Sequence, residues 1–223
     1  MQAKGILFDL DGTLVNSLPA VERCWLVFAD RHKLNHSYVL KTIHGRKAID
    51  NIKLFLPNKP ESFIEQEYRW MEQLETQDIK DIDEISGASH FLRQLYSLNI
   101  PWGIVTSGTK KVANSRFAIL NVTKPKVFIT GEMVINTKPS PDGYLHAAKL
   151  LGLPADQCIV FEDSKAGIES AFNAQCQIIS VNCPNSFDNN CMIHIDSFDE
   201  LVIKKLNEND FEILKSNIAI YKT

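Results

Sequence analysis

The sequence predicts an α/β protein: a doubly wound parallel (Rossmann-like) sheet core with a small α-helical cap domain inserted into it. Three observations predict it. Short apolar runs alternate with amphipathic helical stretches along most of the chain. Those runs are continuously apolar, as suits parallel strands covered on both faces. One block, from about residue 17 to residue 84, carries helical patterns and no convincing strand. Strand–helix alternation builds a doubly wound sheet, and ligands of such sheets sit at the carboxyl ends of the strands.

The strands are read in order at Gly5 to Phe8, Trp102 to Val105, Val127 to Ile129, Cys158 to Phe161 and Ile178 to Val181. Ser86 is a candidate cap for a helix with Ala88, Phe91, Leu92, Leu95 and Leu98 on one face, stopped by Asn99 and Pro101. Ser140 and Pro141 open another, with Tyr144, Leu145, Ala148 and Leu151 inward and Gly152 at its end. Within the helical block, Ser17 and Pro19 start a helix with Val21, Cys24, Trp25 and Phe28 on one face. Ser62 and Glu65 form a capping-box pattern before Tyr68, Met71 and Leu74. Leu56 to Pro60 reads as a turn between helices. The expected division is therefore a catalytic core of residues 1–16 and 85–223 and a helical cap of residues 17–84.

Composition narrows the function. With 24 basic against 27 acidic residues, the chain has no basic stripe suited to nucleic acid. No apolar run reaches the length of a membrane span. Five cysteines without Cys-x-x-Cys spacing argue against a disulfide framework and for a reducing compartment. Cys183, Cys191 and His194 could be imagined as zinc ligands, although scattered thiols near a strand are the simpler reading. The first strand begins without a signal segment before it, and the expectation is a cytoplasmic protein.

The chemistry gathers at strand ends. The first strand runs into Asp9-Leu10-Asp11-Gly12-Thr13. Residues two apart in an extended chain point the same way, so Asp9 and Asp11 converge. Two such carboxylates repel unless a cation or proton intervenes. Thr106, Ser107 and Gly108 place hydroxyls and backbone N–H groups before a helix, a natural anion cradle, though an ordinary loop can read the same way. Lys138 brings a cation just before the helix at Ser140, and Glu162 and Asp163 end a very apolar strand with paired acids.

In that order, Asp-x-Asp-Gly-Thr, Thr, Lys-Pro and Glu-Asp around a helical insert, the whole chain resembles the haloacid dehalogenase superfamily. Residues 8–15 and 160–167 carry the most recognisable stretches, and the insert matches the small-cap group that includes β-phosphoglucomutase and 2-deoxyglucose-6-phosphate phosphatase. His44-Gly45-Arg46 in the insert, and the stretch at residues 18–22 before it, are similar to bacterial-type sugar-phosphate phosphatases.

The resemblance implies a magnesium-dependent phosphatase acting on small phosphorylated metabolites, sugar phosphates above all, through an aspartyl-phosphate. Asp9 would attack phosphorus, and Asp11 would protonate the leaving oxygen and then activate water. Thr106, Ser107, Gly108 and Lys138 would hold the phosphoryl group. Asp9, Asp11 (through its carbonyl), Asp163 and Glu162 would surround Mg²⁺. His44 and Arg46 are the cap candidates for substrate contact, against a solvated helix-start arginine as the plain alternative. Residue types suit these roles independently: a carboxylate nucleophile divides a hard hydrolysis into two steps, a second carboxyl serves as acid and then base, and magnesium takes oxygen ligands.

Asn16 stands where many relatives have Asp, and Thr137 precedes Lys138 where Gly is usual. Asp11 argues against a dehalogenase and a phosphonate hydrolase. A phosphosugar mutase of the same fold carries a cap histidine ten residues after the second aspartate, where this chain has Val21. A two-component receiver is about half this length, and a non-catalytic phospho-acceptor or interaction protein would not need every motif residue. The remaining histidines, His32, His36, His90, His146 and His194, show no ligand spacing. The expected partner is one small phosphate ester, with no nucleic acid or membrane, and the expected working unit is a monomer.

Overall fold

In the computed structural model of the chain, which describes residues 1–44, 46–183, 191 and 193–216, six parallel strands lie side by side. Their order is β6 (Val127–Ile129), β5 (Trp102–Val105), β2 (Gly5–Phe8), β7 (Cys158–Glu162), β8 (Gln177–Val181) and β9 (Ile193–Ile195). The earliest of them, β2, is therefore central: Phe8 pairs with Ile104 on one side and Phe161 on the other. Sequence order reverses on either side of β2, which opens a crevice at the carboxyl ends of β2, β5 and β7.

Successive side chains of β2 feed opposite cores. Ile6 and Phe8 join α5 (Ala88–Ser97) and α6 (Lys110–Phe117) on one face, through Phe91, Leu92, Leu95, Ala113 and Phe117. Leu7 faces the other side, where α7 (Asp142–Leu151) and α8 (Lys165–Asn173) bring Tyr144, Ala147, Ala148, Ile168 and Ala171. Phe8 stacks on Phe161 with ring centroids 4.9 Å apart and meets Phe91 edge-on, so the strand that carries the site is wedged by aromatic contacts. The doubly wound core is as expected.

Local detail differs in places. The helix expected to start at Ser86 is capped by Gly87 at φ 78°, and the Ser86 hydroxyl donates instead to Asp199. Leu145, expected inward on α7, is 45% exposed, and Ala147 takes the inward place. A three-stranded antiparallel sheet of β1 (Gln2–Ala3), β11 (Phe211–Lys215) and β10 (Leu201–Lys205) covers one end of the core, which the sequence reading did not anticipate.

Between β2 and α5 the described residues form four α-helices, α1 (Leu18–His32), α2 (His36–Thr42), α3 (Ala48–Phe55) and α4 (Glu61–Gln77). They share an apolar cluster of their own that includes Cys24, Trp25, Phe28, Val39, Ile52, Phe55 and Met71. Glu67 lies buried inside it, accepting from Arg31 and from His32 Nε2 at 2.9 Å each. Pro60 takes the N-cap position of α4, so Ser62 and Glu65 fall inside the helix and form no capping box; Glu65 pairs with Arg69. The block is not wholly free of strand: β3 (Val15–Asn16) and β4 (Asp83–Glu84) pair antiparallel, tying together the two chain crossings between cap and sheet. The Lys111–Glu72 ion pair at 2.7 Å and the Lys47 bond to the Val134 carbonyl, also 2.7 Å, hold the cap against the core.

Candidate active site

Strand β2 delivers its last residues into the crevice. Asp9 is the first residue past it, fixed by an N–H bond to the Phe161 carbonyl. The chain then turns through Gly12 at φ 90°, a left-handed conformation that a side chain would strain. A Cβ at Gly12 would also collide with the Asp163 carboxylate, so glycine lets the loop after β2 close on the loop after β7. The Thr13 hydroxyl completes that closure with a 3.0 Å bond to Asp163.

Lys138 reaches into the centre from the segment before α7. Its ammonium donates to Asp9 Oδ1 at 2.5 Å, to Glu162 Oε1 at 2.5 Å and to the Val105 carbonyl at 3.2 Å. An ammonium has three N–H donors, so all three are committed. Charge partners on both sides raise the Lys138 pKa against the opposing effect of its burial.

Glu162 is wholly buried and fully engaged. Oε1 accepts from Lys138 and from the Tyr144 hydroxyl at 2.9 Å, and Oε2 accepts from the Asp163 N–H, the Ser164 N–H and the Ser164 hydroxyl. With both oxygens occupied by five donors, its side chain orients Lys138 more directly than it faces the crevice.

Asp9, Glu162 and Asp163 each offer an oxygen within 4.8 Å of the others, and among the described residues they form the one cluster suited to a metal ion. Cys183, Cys191 and His194 make no such group. Burial pushes the Asp9 carboxyl up to about 8, with Lys138 opposing and Glu162 and Asp11 adding to the rise. Burial, then Glu162 and Asp9, likewise push Asp163 well above the carboxylate range. Two carboxylates held in this condition suit a hard, oxygen-seeking cation, which would favour their ionised forms. With Glu162 occupied, Asp9 and Asp163 are the side chains left to hold it.

Asp11 lies across the crevice. Its Oδ1 accepts from the Ser17 hydroxyl at 2.6 Å and from Arg116 Nη1 at 2.5 Å. Ser17 was expected to cap α1; it occupies the N-cap position, but its side chain makes no cap bond and serves Asp11 instead. Thr106 and Gly108 line the same floor, with the Gly108 N–H bonded to the Thr106 hydroxyl at 3.1 Å, and Ser107 lies between them. Val21, Trp25, His44 and Arg46 reach the cleft from the cap side. His44 Nε2 sits 3.5 Å from Glu22. Gly45 falls outside the described residues. The structure thus brings Asp9, Asp11, Thr106, Ser107, Gly108, Asp163, His44 and Arg46 to one cleft, while Lys138 is bonded to Asp9 and Glu162 to Lys138 without lining it.

Two cleft residues were missed by sequence reasoning. Arg116 stands in the last turn of α6 and is fully buried. Glu75, near the end of α4, lines the same cleft, its carboxyl pushed up to about 7 by burial with the nearby Arg116 opposing. Neither belongs to a motif, and only tertiary packing brings them to Asp11.

The sequence pattern of haloacid dehalogenase-like hydrolases matches residues 6–181, and the chain belongs to that family. It is 46% identical over 184 residues to hexitol phosphatase A of Escherichia coli K12, covering 82% of this chain and 85% of that protein. It is 30% identical over 234 residues to 2-deoxyglucose-6-phosphate phosphatase 2 of Saccharomyces cerevisiae, covering 95% and 94%. A β-phosphoglucomutase from Clostridium difficile shares the fold, with a TM-score of 0.80 at 20% identity over 90% of this chain and 93% of that one.

Proposed function

We propose that this chain is a phosphoric monoester hydrolase acting on small phosphorylated sugars or polyols, with Asp9 as nucleophile. The observation that carries the reading is the placement of Asp9 between the Lys138 ammonium and Asp163, with the Asp11 carboxyl facing the same cleft. The phosphatase names of the relatives at 46% and 30% identity support the reaction class and a sugar-like substrate.

In this reading Asp9 attacks phosphorus and the bond to the ester oxygen breaks, leaving an aspartyl-phosphate. Asp11 gives its proton to the departing oxygen, then takes one from the water that hydrolyses the acyl phosphate. Lys138 and Thr106, with the backbone of Ser107 and Gly108, balance negative charge on the phosphoryl oxygens, a task of preorganised electrostatics. Glu162 holds Lys138 in place. Asp9, the Asp11 carbonyl and Asp163 would hold Mg²⁺, whose contribution when bound is charge neutralisation and orientation of the ester.

The chain divides in this proposal into a core of residues 1–16 and 85–223 and a cap of residues 17–84, as the separate apolar cluster of α1 to α4 supports. The cap supplies His44 and Arg46 for substrate hydroxyls. Val21 lines the cleft on the cap side where a mutase would carry histidine, which favours release of phosphate over its transfer. Among the described residues no helix is long and apolar enough to cross a membrane. A single chain working in the cytoplasm is the setting we propose, in keeping with the buried free thiols of Cys24, Cys158 and Cys176. Release of inorganic phosphate from a panel of sugar and polyol monophosphates, in Mg²⁺ and in EDTA, tests the assignment.

A further inference from the structure

Among the described residues Arg116 is the fully buried side chain of largest volume, and it is a cation. Its Nη1 bonds Asp11 Oδ1, while Nε and Nη2 are buried without a hydrogen-bond partner. Leaving a buried donor unsatisfied costs ~1–3 kcal/mol, so stability alone does not account for a guanidinium here. A buried polar group left unpaired in this way calls for a functional explanation.

The geometry around Asp11 supplies one. Both donors, Ser17 Oγ and Arg116 Nη1, converge on the same oxygen, Oδ1. A carboxylate oxygen has two lone-pair sites, so Oδ1 is filled. A proton carried by Asp11 must then sit on Oδ2. That oxygen faces the phosphoryl cradle: a Cβ built on Gly108 would lie 3.9 Å from it. Arg116 borders the same cleft but is fully buried, and the site group it bonds is Asp11. Glu75, on the cap side, is the second acidic group beside the guanidinium and helps to keep it within the fold.

We propose that Arg116 is the positioning residue for the acid of this active site: by filling Oδ1 together with Ser17, it fixes the transferable proton on Oδ2, aimed at the ester oxygen. The inference rests on the phosphatase reading above and adds a residue to it. As the P–O bond breaks, the ester oxygen takes the bonding pair, and the proton moves from Asp11 Oδ2 to that oxygen. Without Arg116 the Asp11 carboxyl turns about its last torsion, and the proton is misdirected in much of the population.

The leaving group separates this role from a structural one. An alkoxide needs the proton and a nitrophenolate does not. The ratio kcat/KM includes only steps through loss of the leaving group, so later use of Asp11 as a base drops out. The experiment compares kcat/KM for glucitol phosphate and para-nitrophenyl phosphate in the full chain and in Arg116→Met, Arg116→Lys and Ser17→Ala, each with its thermal midpoint. Arg116→Met should lower the glucitol phosphate value ~100-fold, the scale of one general acid, and the aryl value at most several-fold. Arg116→Lys, which keeps one donor, should recover part of the loss, and Ser17→Ala should show a smaller split in the same direction. Should both esters fall by one common factor in the folded variants, or the alkyl ester be unaffected, the proposal is overturned. A wild-type chain that hydrolyses neither ester removes the phosphatase reading, and this inference with it.

Discussion

Lys138 Nζ lies 2.5 Å from Asp9 Oδ1, although the two residues stand 129 positions apart and on different segments. The contact is buried on both sides, at 6% and 9% side-chain exposure, and Glu162 closes it from behind. Removing one partner of such a pair leaves an uncompensated buried charge, at a cost of ~3–5 kcal/mol. Lys138→Met should therefore lower the unfolding free energy by about that amount as well as abolish phosphatase activity. Urea unfolding of the variant checks it; an unfolding curve matching the wild type would show that the pair contributes nothing to the fold.

Arg46 and His44 face the cleft from the cap. Arg46→Ala should lower kcat/KM for a hexose phosphate by ~1–3 kcal/mol, the usual effect of leaving polar groups unpaired. The value for an aryl phosphate, which has no hydroxyls to lose, should hold. An equal fall for both substrates would place Arg46 in the support of the fold.

Val21 fills the cleft position where a histidine would serve a mutase. With a hexose monophosphate the product should be inorganic phosphate, released without a bisphosphate activator. Isomerised sugar phosphate with little free phosphate, followed by NMR, would contradict the hydrolytic reading.

Glu67 binds the cap together. Burial raises its pKa, but hydrogen bonds from His32 and Arg31 outweigh that and leave it lowered. A carboxylate with a depressed folded pKa contributes stability above its ordinary unfolded value of 4.5, and loses it as pH falls through the folded pKa. Glu67→Gln should lower the thermal midpoint at pH 7, and the gap from wild type should shrink as pH falls below that value. Thermal scans across acid pH measure it; a gap that is constant with pH would assign the effect to packing.

Much of this site could be read from sequence because its residues sit at fixed places relative to strands. Asp9 and Asp11 follow from the two-residue period, and Asp163 from an apolar strand that ends in acids. Arg116 could not be read that way. It is one basic residue in the last turn of a helix, where arginine is ordinary, and only the approach of α6 to the loop after β2 makes it a partner of Asp11. Ser17 misled in the opposite direction. It occupies an N-cap position by backbone conformation, but a carboxylate 2.6 Å away outcompetes the helix for its hydroxyl. At Ser62 and Glu65 the spacing of a capping box was present, but Pro60 had already set the start of α4. Leu145 shows the limit of periodicity: a helix packed through Tyr144, Ala147 and Ala148 leaves its leucine neighbour outside.

The nucleophile is the central claim, and trapping it tests that claim most directly. An aspartyl-phosphate is an acyl phosphate, stable enough in acid to be recovered by quenching. Rapid acid quench of the Mg²⁺-loaded chain with a labelled phosphate ester, followed by peptide mass spectrometry, should find the phosphoryl group on Asp9. It should be absent in Asp9→Asn, whose amide is a poor nucleophile, with turnover lost as well. Label on another residue, or steady hydrolysis by clean Asp9→Asn protein, would contradict the account.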